Sequence, residues 1–143
     1  MLTELTVKGF LAETAGEAPV PGGGSISALN GAIAASLCQM VANLTIGKKK
    51  YADCEAEMKE IAAKAASIAQ ELVLDVDRDS DAYDKVFAAF KLPKETDEEK
   101  AARSQAIQES TKYAAEVPME VARRVYSLLD MIDAVVARGN QNA

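Results

Sequence analysis

The stretch ISALNGAIAASLCQMVANLTI, residues 26–46, decides the fold class of this chain. Small side chains recur in it every four positions, and such rows let the backbone of another helix approach closely. The run is long enough to span a bilayer, but Asn30, Gln39 and Asn43 interrupt it and no second span follows. We therefore expect a helix buried at the centre of a bundle, and no membrane partner. The rows are Ser27, Gly31 and Ala35, and Ala28, Ala32 and Ser36.

Start and stop signals divide the chain around this stretch into further helices. Thr6 is a suitable N-cap for a short helix over about residues 7–15. Gly47 is expected at the C′ position that ends the helix over 26–46. A long third helix is expected over about residues 54–91, because apolar side chains recur there by threes and fours.

The remaining breaks lie nearer the C-terminus. Pro93 stops the third helix, and Thr96 with Glu99 forms a capping box for a fourth. We expect Pro118 to bend or restart that helix near Val117. No strand pattern of any length is present, so the sequence predicts an all-α fold, an antiparallel bundle of long helices. The final apolar stripe is Val121, Val125, Leu128, Ile132 and Val135, closed by Arg138 and Gly139.

Size and charge restrict what the chain can be. At 143 residues it has the length of one domain. Its formal net charge of −6 and pI near 4.7 provide no basic field for nucleic acid or an anionic membrane. Cys38 and Cys54 form neither a CxxC motif nor a disulfide framework, and no signal-peptide pattern is present. We therefore expect a reduced, cytoplasmic protein without a nucleic-acid partner.

The chain contains no histidine, which removes several kinds of catalytic site. Histidine-ligated metals, Ser-His-Asp and Cys-His nucleophiles and imidazole acid–base chemistry are all excluded. The acidic run resembles the start of a calcium loop, but counting from Asp75 the sixth and twelfth positions are Ser80 and Val86 instead of Gly and Glu. We expect no metal site and no permanently bound cofactor, so catalysis must rely on carboxylates, lysines, tyrosines or backbone dipoles.

The stretch LVLDVDRDSDAY, residues 72–83, carries a candidate catalytic carboxylate. Apolar positions of the third helix step by threes and fours except for one gap of seven, and Asp79 fills that gap. Asp79 is therefore expected on the face of Val76 and Tyr83, whereas Asp75 lies near the edge of that stripe. A carboxylate on a core-facing stripe is costly unless it is paired, protonated or next to a cavity. Solvated positions are expected for Asp77, Asp81 and Asp84.

A glycine-rich turn precedes the second helix. PGGGS, residues 21–25, lacks the spacing of a P-loop and does not follow a strand, so a nucleotide site is not expected. The turn is either structural or a cradle whose free N–H groups bind an anion. The three lysines at 48–50 either cap the end of the second helix or clamp a ligand.

Five motifs in this order resemble the cyclodeaminase/cyclohydrolase family of folate enzymes. They are PVPGGGSISAL, TIGKKKY, DRDSDAY followed by FKLPKETDEEK, AAEVP and RGNQNA, and they span most of the chain. The family comprises the cyclodeaminase part of formiminotransferase-cyclodeaminase and stand-alone methenyltetrahydrofolate cyclohydrolases. The resemblance implies an all-helical homodimer with a folate site in a groove between subunits. Members usually continue beyond the segment matching RGNQNA, so we expect one helical domain over residues 1–143 without the family's C-terminal helices.

The resemblance also implies roles for individual residues. The family's catalytic aspartate lies in the acidic stretch of the long helix, which corresponds to Asp79, with Asp77 as the second choice. Tyr83, one turn further on, is expected to orient the aspartate or the substrate. The glutamate carboxylates of the folate are expected to contact Gly22, Gly23, Gly24, Ser25, Lys48 and Lys49.

The resemblance leaves two reactions open, both on a tetrahydrofolate derivative. In the cyclodeaminase, N10 of 5-formiminotetrahydrofolate attacks the formimino carbon and ammonia leaves. In the cyclohydrolase, water adds to the methenyl carbon and the ring opens to 10-formyltetrahydrofolate. Both reactions move a proton at a carbon between two nitrogens, which suits a carboxylate acting as general base and then as acid. The non-catalytic alternative is a helical dimerisation module whose aspartate is paired in the interface.

Overall fold

The computed structural model describes all residues, 1–143, and the protein is entirely helical apart from its connections. No residue forms a strand, so the predicted all-α class is confirmed. Single-turn 3₁₀ helices occupy Leu2–Glu4 and Lys49–Tyr51. The α-helices are α1 (Val7–Thr14), α2 (Gly23–Thr45), α3 (Glu55–Phe90), α4 (Asp97–Ser127) and α5 (Leu129–Arg138).

Local side-chain signals begin and end several helices where the sequence predicts. The Thr6 hydroxyl accepts a hydrogen bond from the Gly9 N–H at 3.1 Å, so Thr6 is the N-cap of α1. The Glu99 N–H donates to the Thr96 hydroxyl at 3.2 Å, and the Thr96 N–H donates to the Glu99 carboxylate at 3.1 Å. This reciprocal pair is the predicted capping box. Gly47 follows α2 with a φ of 76°, which glycine adopts without steric cost.

Helix α2 begins at Gly23, three residues before the predicted start at Ile26. The Ile26 N–H donates to the Gly22 carbonyl at 3.1 Å, so the hydrogen-bond ladder of the helix already includes the glycines. The prediction treated these glycines as a break in the chain. In the first turn of a helix, however, the N–H groups have no intrahelical partner, and glycine is tolerated there. The corrected start places the glycine backbone inside the helix.

Pro118 does not restart α4, which continues unbroken to the break at Leu128. A restart at Pro118 is therefore wrong, whereas a bend there, the other predicted alternative, stays a prediction. A proline removes only one N–H from the ladder, and the turns on either side keep their bonds. At the observed break, the Ser127 hydroxyl donates to the Arg124 carbonyl at 2.7 Å, and the Leu128 N–H donates to Val125 at 3.1 Å. The serine takes the carbonyl that the Leu128 N–H would bond in a regular helix.

Two compact units make up the chain, and each has its own buried side chains. The first contains residues 1–28 and 74–120, and the second contains residues 29–73 and 121–143. The buried apolar residues of the first unit include Phe10, Val76, Ala82, Ala89 and Val117. The main cluster of the second unit is Cys38, Ala42, Cys54, Met58, Ile61, Ala62, Ala65 and Val135.

Helix α2 buries most of its alanines and exposes several of its large apolar side chains within a single chain. Its alanines at 32, 35 and 42 are buried. By length and composition α2 could cross a membrane, and 39% of its most apolar window is buried in the protein. The expectation of a helix buried at the centre of a bundle is therefore met only in part within one chain. The exposed apolar residues, between 42% and 53% accessible, are Ile33, Leu37, Met40 and Leu44.

We expect Gly31 in α2 to be intolerant of any side chain. A Cβ built there would lie 2.7 Å from Val125 Cγ2 and 3.1 Å from Leu72 Cδ1. Gly31→Ala should lower the free energy of unfolding by ~1–3 kcal/mol, because the stiff valine cannot turn away. Gly23→Ala is the matched control, since nothing lies within 4 Å of its Cβ. Urea unfolding measures both variants, and equal stabilities would contradict the close packing.

Candidate active site

The carboxylate of Asp79 lies against the backbone of Gly24, at the N-terminal end of α2. A Cβ built on Gly24 would clash with Asp79 Oδ1 and lie 2.5 Å from Oδ2. Real Cβ atoms do not approach other heavy atoms so closely, so no side chain fits at position 24 while the carboxylate stays in place. This contact joins two regions that the sequence selected separately, the glycine-rich turn and the acidic stretch.

The helical phase predicted for Asp79 is confirmed by the burial of its neighbours. Leu72 and Val76 on the same stripe are 0% and 1% exposed. Asp79 itself is half-buried, and Tyr83, one turn further on, is 37% exposed. The stripe therefore passes from the core to the surface at Asp79. A carboxylate at this boundary can be fixed by the protein on one side and reached by a ligand on the other.

Ser25 holds the protein side of Asp79. Its side chain is fully buried, and its Oγ lies 3.2 Å from Asp79 Oδ2 and 3.0 Å from Ser80 Oγ. The same hydroxyl lies within donating distance, 2.8 Å, of the Val76 carbonyl. Ser25 lies on the protein side of the carboxylate, where it contacts both Asp79 and the main chain of α3. A positioning role therefore fits its geometry better than the expected contact with substrate.

A cavity of about 280 Å³ opens beside the Asp79 carboxylate. Asp79 is the only titratable carboxyl group in its lining, and Tyr83 is the only aromatic residue. The glycine that precedes α2 and the two that begin it all line the cavity, so the predicted residues Gly22, Gly23, Gly24, Asp79 and Tyr83 are brought together here. The other lining residues are Pro19, Val20 and Ala114.

The sequence left open whether the glycine turn is structural or a cradle for a bound anion, and the charges around the turn distinguish these two alternatives. A helix N-terminus favours negative charge, and in this protein the Asp79 carboxylate already occupies the position beside Gly24. A second carboxylate bound at the same glycines would meet a like charge at short range. The turn therefore accommodates the chain's own anion, and it is a poor place for the glutamate carboxylates of a folate.

Asp77, the second candidate base, lies on a different side of α3. It accepts hydrogen bonds from the Leu2 N–H and, at 2.6 Å, from the Thr3 hydroxyl. Asp77 does not line the cavity, and its contacts fix the N-terminal 3₁₀ helix. Its neighbour Asp81 is exposed, as expected for a solvated position. The geometry thus separates Asp79 from the other acidic residues of the run.

Lys48 and Lys49 are not brought to this cavity. Both are exposed, and they follow the C-terminal end of α2, whereas the glycines form its N-terminal end. Neither lysine is among the residues that line the cavity. Their predicted contact with the glutamate carboxylates is therefore unsupported by the geometry of the Asp79 site.

A charged cluster centred on Arg78 was not predicted from the sequence. Its Nη1 lies 2.6 Å from Glu120 Oε2 and 3.2 Å from Asp75 Oδ1, and its Nε donates to the Tyr113 hydroxyl at 3.2 Å. The hydrogen bonds to Glu120 and Tyr113 raise the pKa of Arg78 above its usual value. Asp75 is only 2% exposed, so it lies deeper than the edge position expected for it. The available signal was the i, i+3 spacing of Asp75 and Arg78.

Fold and site together define an all-α protein whose candidate centre is a carboxylate held at a glycine-rich helix start. No group of three or more His, Cys, Asp or Glu side chains converges in a way that could hold a metal ion. A family model described as formiminotransferase-cyclodeaminase matches residues 6–143. The chain belongs to this family, and the resemblance predicted from its motifs is confirmed.

Two proteins of this family are similar in sequence to this chain over nearly its whole length. Methenyltetrahydrofolate cyclohydrolase of Methylorubrum extorquens is 44% identical over 137 residues, which cover 96% of this chain and 66% of that protein. Formimidoyltransferase-cyclodeaminase of Mus musculus is 31% identical over 139 residues, covering 97% of this chain and 26% of that protein. The chain thus spans just under two thirds of the first relative and about a quarter of the second.

A solved structure supports the same relationship at the level of the fold. Formiminotetrahydrofolate cyclodeaminase from Thermotoga maritima aligns with a TM-score of 0.84 and 33% sequence identity. The alignment covers 99% of this chain and 67% of that chain. The helical architecture described above is therefore that of the family.

Proposed function

We propose that this protein catalyses a folate one-carbon reaction, as a methenyltetrahydrofolate cyclohydrolase or a formiminotetrahydrofolate cyclodeaminase, with Asp79 as general base and acid. The observation that carries the proposal is the half-buried Asp79 carboxylate, which is fixed against Gly24 and is the only carboxyl group lining the cavity. The names of the relatives supply the substrate class. A tetrahydrofolate derivative is the substrate, and the proposal requires no permanently bound cofactor.

Asp79 can balance the protons of either reaction. In the cyclohydrolase direction it accepts a proton from water as the new C–O bond forms at the methenyl carbon. It then returns that proton to N5 as the C–N5 bond breaks, while the hydroxyl proton of the intermediate leaves to solvent. In the cyclodeaminase direction the formimino group reacts in its protonated form, and Asp79 accepts the N10 proton as the C–N10 bond forms. It passes that proton to the departing nitrogen as the bond from carbon to that nitrogen breaks, so ammonia leaves and the methenyl product keeps the positive charge. One carboxylate in a fixed position therefore serves both reactions.

The other residues of the cavity have supporting roles in this proposal. Ser25 positions the carboxylate from below, and Tyr83 borders the space that the substrate enters. Gly24 lets the carboxylate approach the N-terminal end of α2 without a steric clash. We assign Lys48 and Lys49 no role in this cavity.

The first prediction concerns Asp79 itself. Asp79→Asn should lower kcat by ~10²–10⁴-fold, because the amide has nearly the same shape but cannot accept a proton. The Ser25 hydrogen bond can persist, so the helical content should not change. Steady-state assays with both folate substrates measure the loss, and they also identify the reaction that the protein performs.

The matched control for this substitution is Asp81→Asn on the same helix. Asp81 is exposed and does not line the cavity, so its variant should keep wild-type turnover. Full activity of Asp79→Asn combined with loss of activity in Asp77→Asn would contradict the assignment. The non-catalytic alternative, a helical dimerisation module, predicts that purified wild-type protein neither turns over nor binds tetrahydrofolate.

A second prediction separates the position of the carboxylate from its presence. Gly24→Ala keeps Asp79 in the sequence but forces the carboxylate away from the helix start, so kcat should fall. Gly23→Ala is the matched control, because its Cβ meets nothing within 4 Å and leaves Asp79 in place. We expect kcat to hold in the Gly23 variant. Equal kcat values for the two alanine variants would show that the contact at Gly24 has no catalytic role.

We also propose that the protein is a homodimer whose interface includes the exposed face of α2. Ile33, Leu37, Met40 and Leu44 follow one another with spacings of four, three and four, which suits packing against a second helix. Polar residues such as Asn43 are also exposed on α2, and these would be costly in contact with lipid. A second copy of the chain is therefore a better occupant of this face than a membrane.

The proposed interface can be tested by light scattering at micromolar concentrations. Leu37→Glu should convert the dimer into a monomer, because it places a charge in the middle of the apolar face. Val7→Glu adds the same charge at a 78% exposed position on α1, and it should remain dimeric. A wild-type protein that is monomeric across this concentration range would rule out the interface.

The compartment of the protein is proposed from its thiols. Cys38 and Cys54 are both buried and free, and burial raises the pKa of the Cys38 thiol. Unpaired cysteines in the core suit a reducing environment. We propose a cytoplasmic location, without nucleic acid or membrane as a partner.

A further inference from the structure

A strip of exposed aromatic side chains continues the Asp79 stripe along α3. Tyr83, Phe87 and Phe90 are spaced by four and three residues, and they are 37%, 43% and 50% exposed. The rings of Tyr83 and Phe87 are 4.9 Å apart between centroids, and those of Phe87 and Phe90 are 6.4 Å apart. The three rings therefore form one continuous surface, which we name the aromatic strip.

The aromatic strip is unusual for this chain. The protein has three phenylalanines and no tryptophan, and two of those phenylalanines lie exposed in the strip. The third, Phe10, is buried. Leaving rings in water forgoes the stabilisation that their burial would give, so a contiguous exposed group indicates a binding surface.

The cavity beside Asp79 is too small to enclose a whole reduced folate. Its volume of about 280 Å³ lies below the ~300–1,000 Å³ typical of pockets that enclose drug-sized ligands. A tetrahydrofolate carries a pterin, an aryl ring and a glutamate, so only its reacting end can enter. The rest must lie on a surface continuous with the cavity. Tyr83 belongs both to the cavity lining and to the aromatic strip, and it supplies that continuity.

We propose that the aromatic strip binds the p-aminobenzoyl ring of the substrate, with Phe87 as its main contact. The substrate then lies along α3, with its one-carbon bridge at Asp79 and its glutamate directed away from that carboxylate. This inference rests on the proposed folate reaction, and it adds the residues that bind the non-reacting part. Stacked or edge-on contacts with an aryl ring are the favourable use of such a surface.

Length and charge along α3 agree with this orientation. Phe90 lies eleven positions after Asp79, which corresponds to about 16 Å along the helix axis. Lys91 and Lys94 follow directly, and both are exposed. A substrate with a cationic or neutral reacting end and an anionic glutamate thus meets a carboxylate first, aromatic rings next and lysines last. The reverse orientation would place its carboxylates against Asp79.

The decisive variant is Phe87→Ala. We expect its KM to rise about tenfold with kcat unchanged, because the ring contributes equally to ground-state and transition-state binding. Phe87→Tyr retains the ring and should restore the wild-type KM. Leu74→Ala is the matched control, since Leu74 is 65% exposed on the opposite side of α3. Circular dichroism checks the fold, and if Phe87→Ala does not fold, Phe87→Leu replaces it.

Two fragments of the substrate locate the effect. Inhibition by p-aminobenzoylglutamate should weaken in Phe87→Ala by the same factor as the rise in KM. Inhibition by tetrahydropterin, which lacks the aryl ring, should not change. Equal weakening of both fragments would mean that Phe87 acts on the whole cavity, and it would overturn the assignment.

The remaining outcomes separate this inference from the proposed function and from dimerisation. If wild type turns over folate and Phe87→Ala keeps the wild-type KM, the aromatic strip does not bind substrate, while the proposed function stands. If wild type neither turns over nor binds tetrahydrofolate in calorimetry, both proposals fail. A third outcome is that Phe87→Ala dissociates into monomers. If its KM equals the wild-type KM at concentrations where the variant is still dimeric, the strip is an interface between two copies of the chain.

Discussion

The contact between the Asp79 carboxylate and the Gly24 backbone is the constraint on which the rest of the first unit depends. It requires a residue without a side chain at position 24, and it requires α2 to begin within the glycines. It also puts Ser25, the next residue, beneath the carboxylate, where its hydroxyl reaches Asp79 and the main chain of α3. This contact thus fixes the position of the start of α2, the position of Asp79 and the cavity that both of them line.

A half-buried carboxylate at a helix junction is costly unless nearby dipoles replace lost water. Here the replacement comes from the N-terminal end of α2 and from the Ser25 hydroxyl. A second, deeper carboxylate, Asp75, is instead held by the guanidinium of Arg78. The two acids lie one turn apart on α3 and have different surroundings. Asp79 lines the cavity beside Gly24 and Asp75 does not, which is why the proposed proton transfer is assigned to Asp79.

Local features could be predicted from the sequence, and features that depend on distant partners could not. The phase of α3 and the caps at Thr6 and Thr96 follow from spacings of a few residues, which a helix fixes by its geometry. The ion pair between Arg78 and Glu120 joins residues 42 positions apart, and no periodicity indicates it. Likewise the break at Leu128 depends on competition between the Ser127 hydroxyl and the Leu128 N–H for the Arg124 carbonyl. The sequence instead indicated Pro118, because proline ordinarily interrupts a helix.

The candidate site shows the same division. Asp79 and the glycines could each be selected from the sequence, but their contact could not, because it joins residues 55 positions apart on different helices. Lys48 and Lys49 were grouped with them as cations that could clamp an anionic ligand, and the lining of the cavity does not include them. The aromatic strip escaped notice because rings at helical spacing ordinarily indicate a core. Its significance depends on exposure, which periodicity does not report.

The buried Ser25 hydroxyl has a single hydrogen, and more than one oxygen can accept a hydrogen bond from it. The Val76 carbonyl and the Asp79 carboxylate are both within reach, and Ser80 can donate to the lone pair that remains. Rotation about one C–O bond therefore moves a hydrogen bond toward Asp79 when it is charged and away from it when it is neutral. In the proposed reaction this hydrogen bond follows each gain and loss of a proton at Asp79 without the movement of a heavy atom, so little reorganisation opposes the proposed transfer.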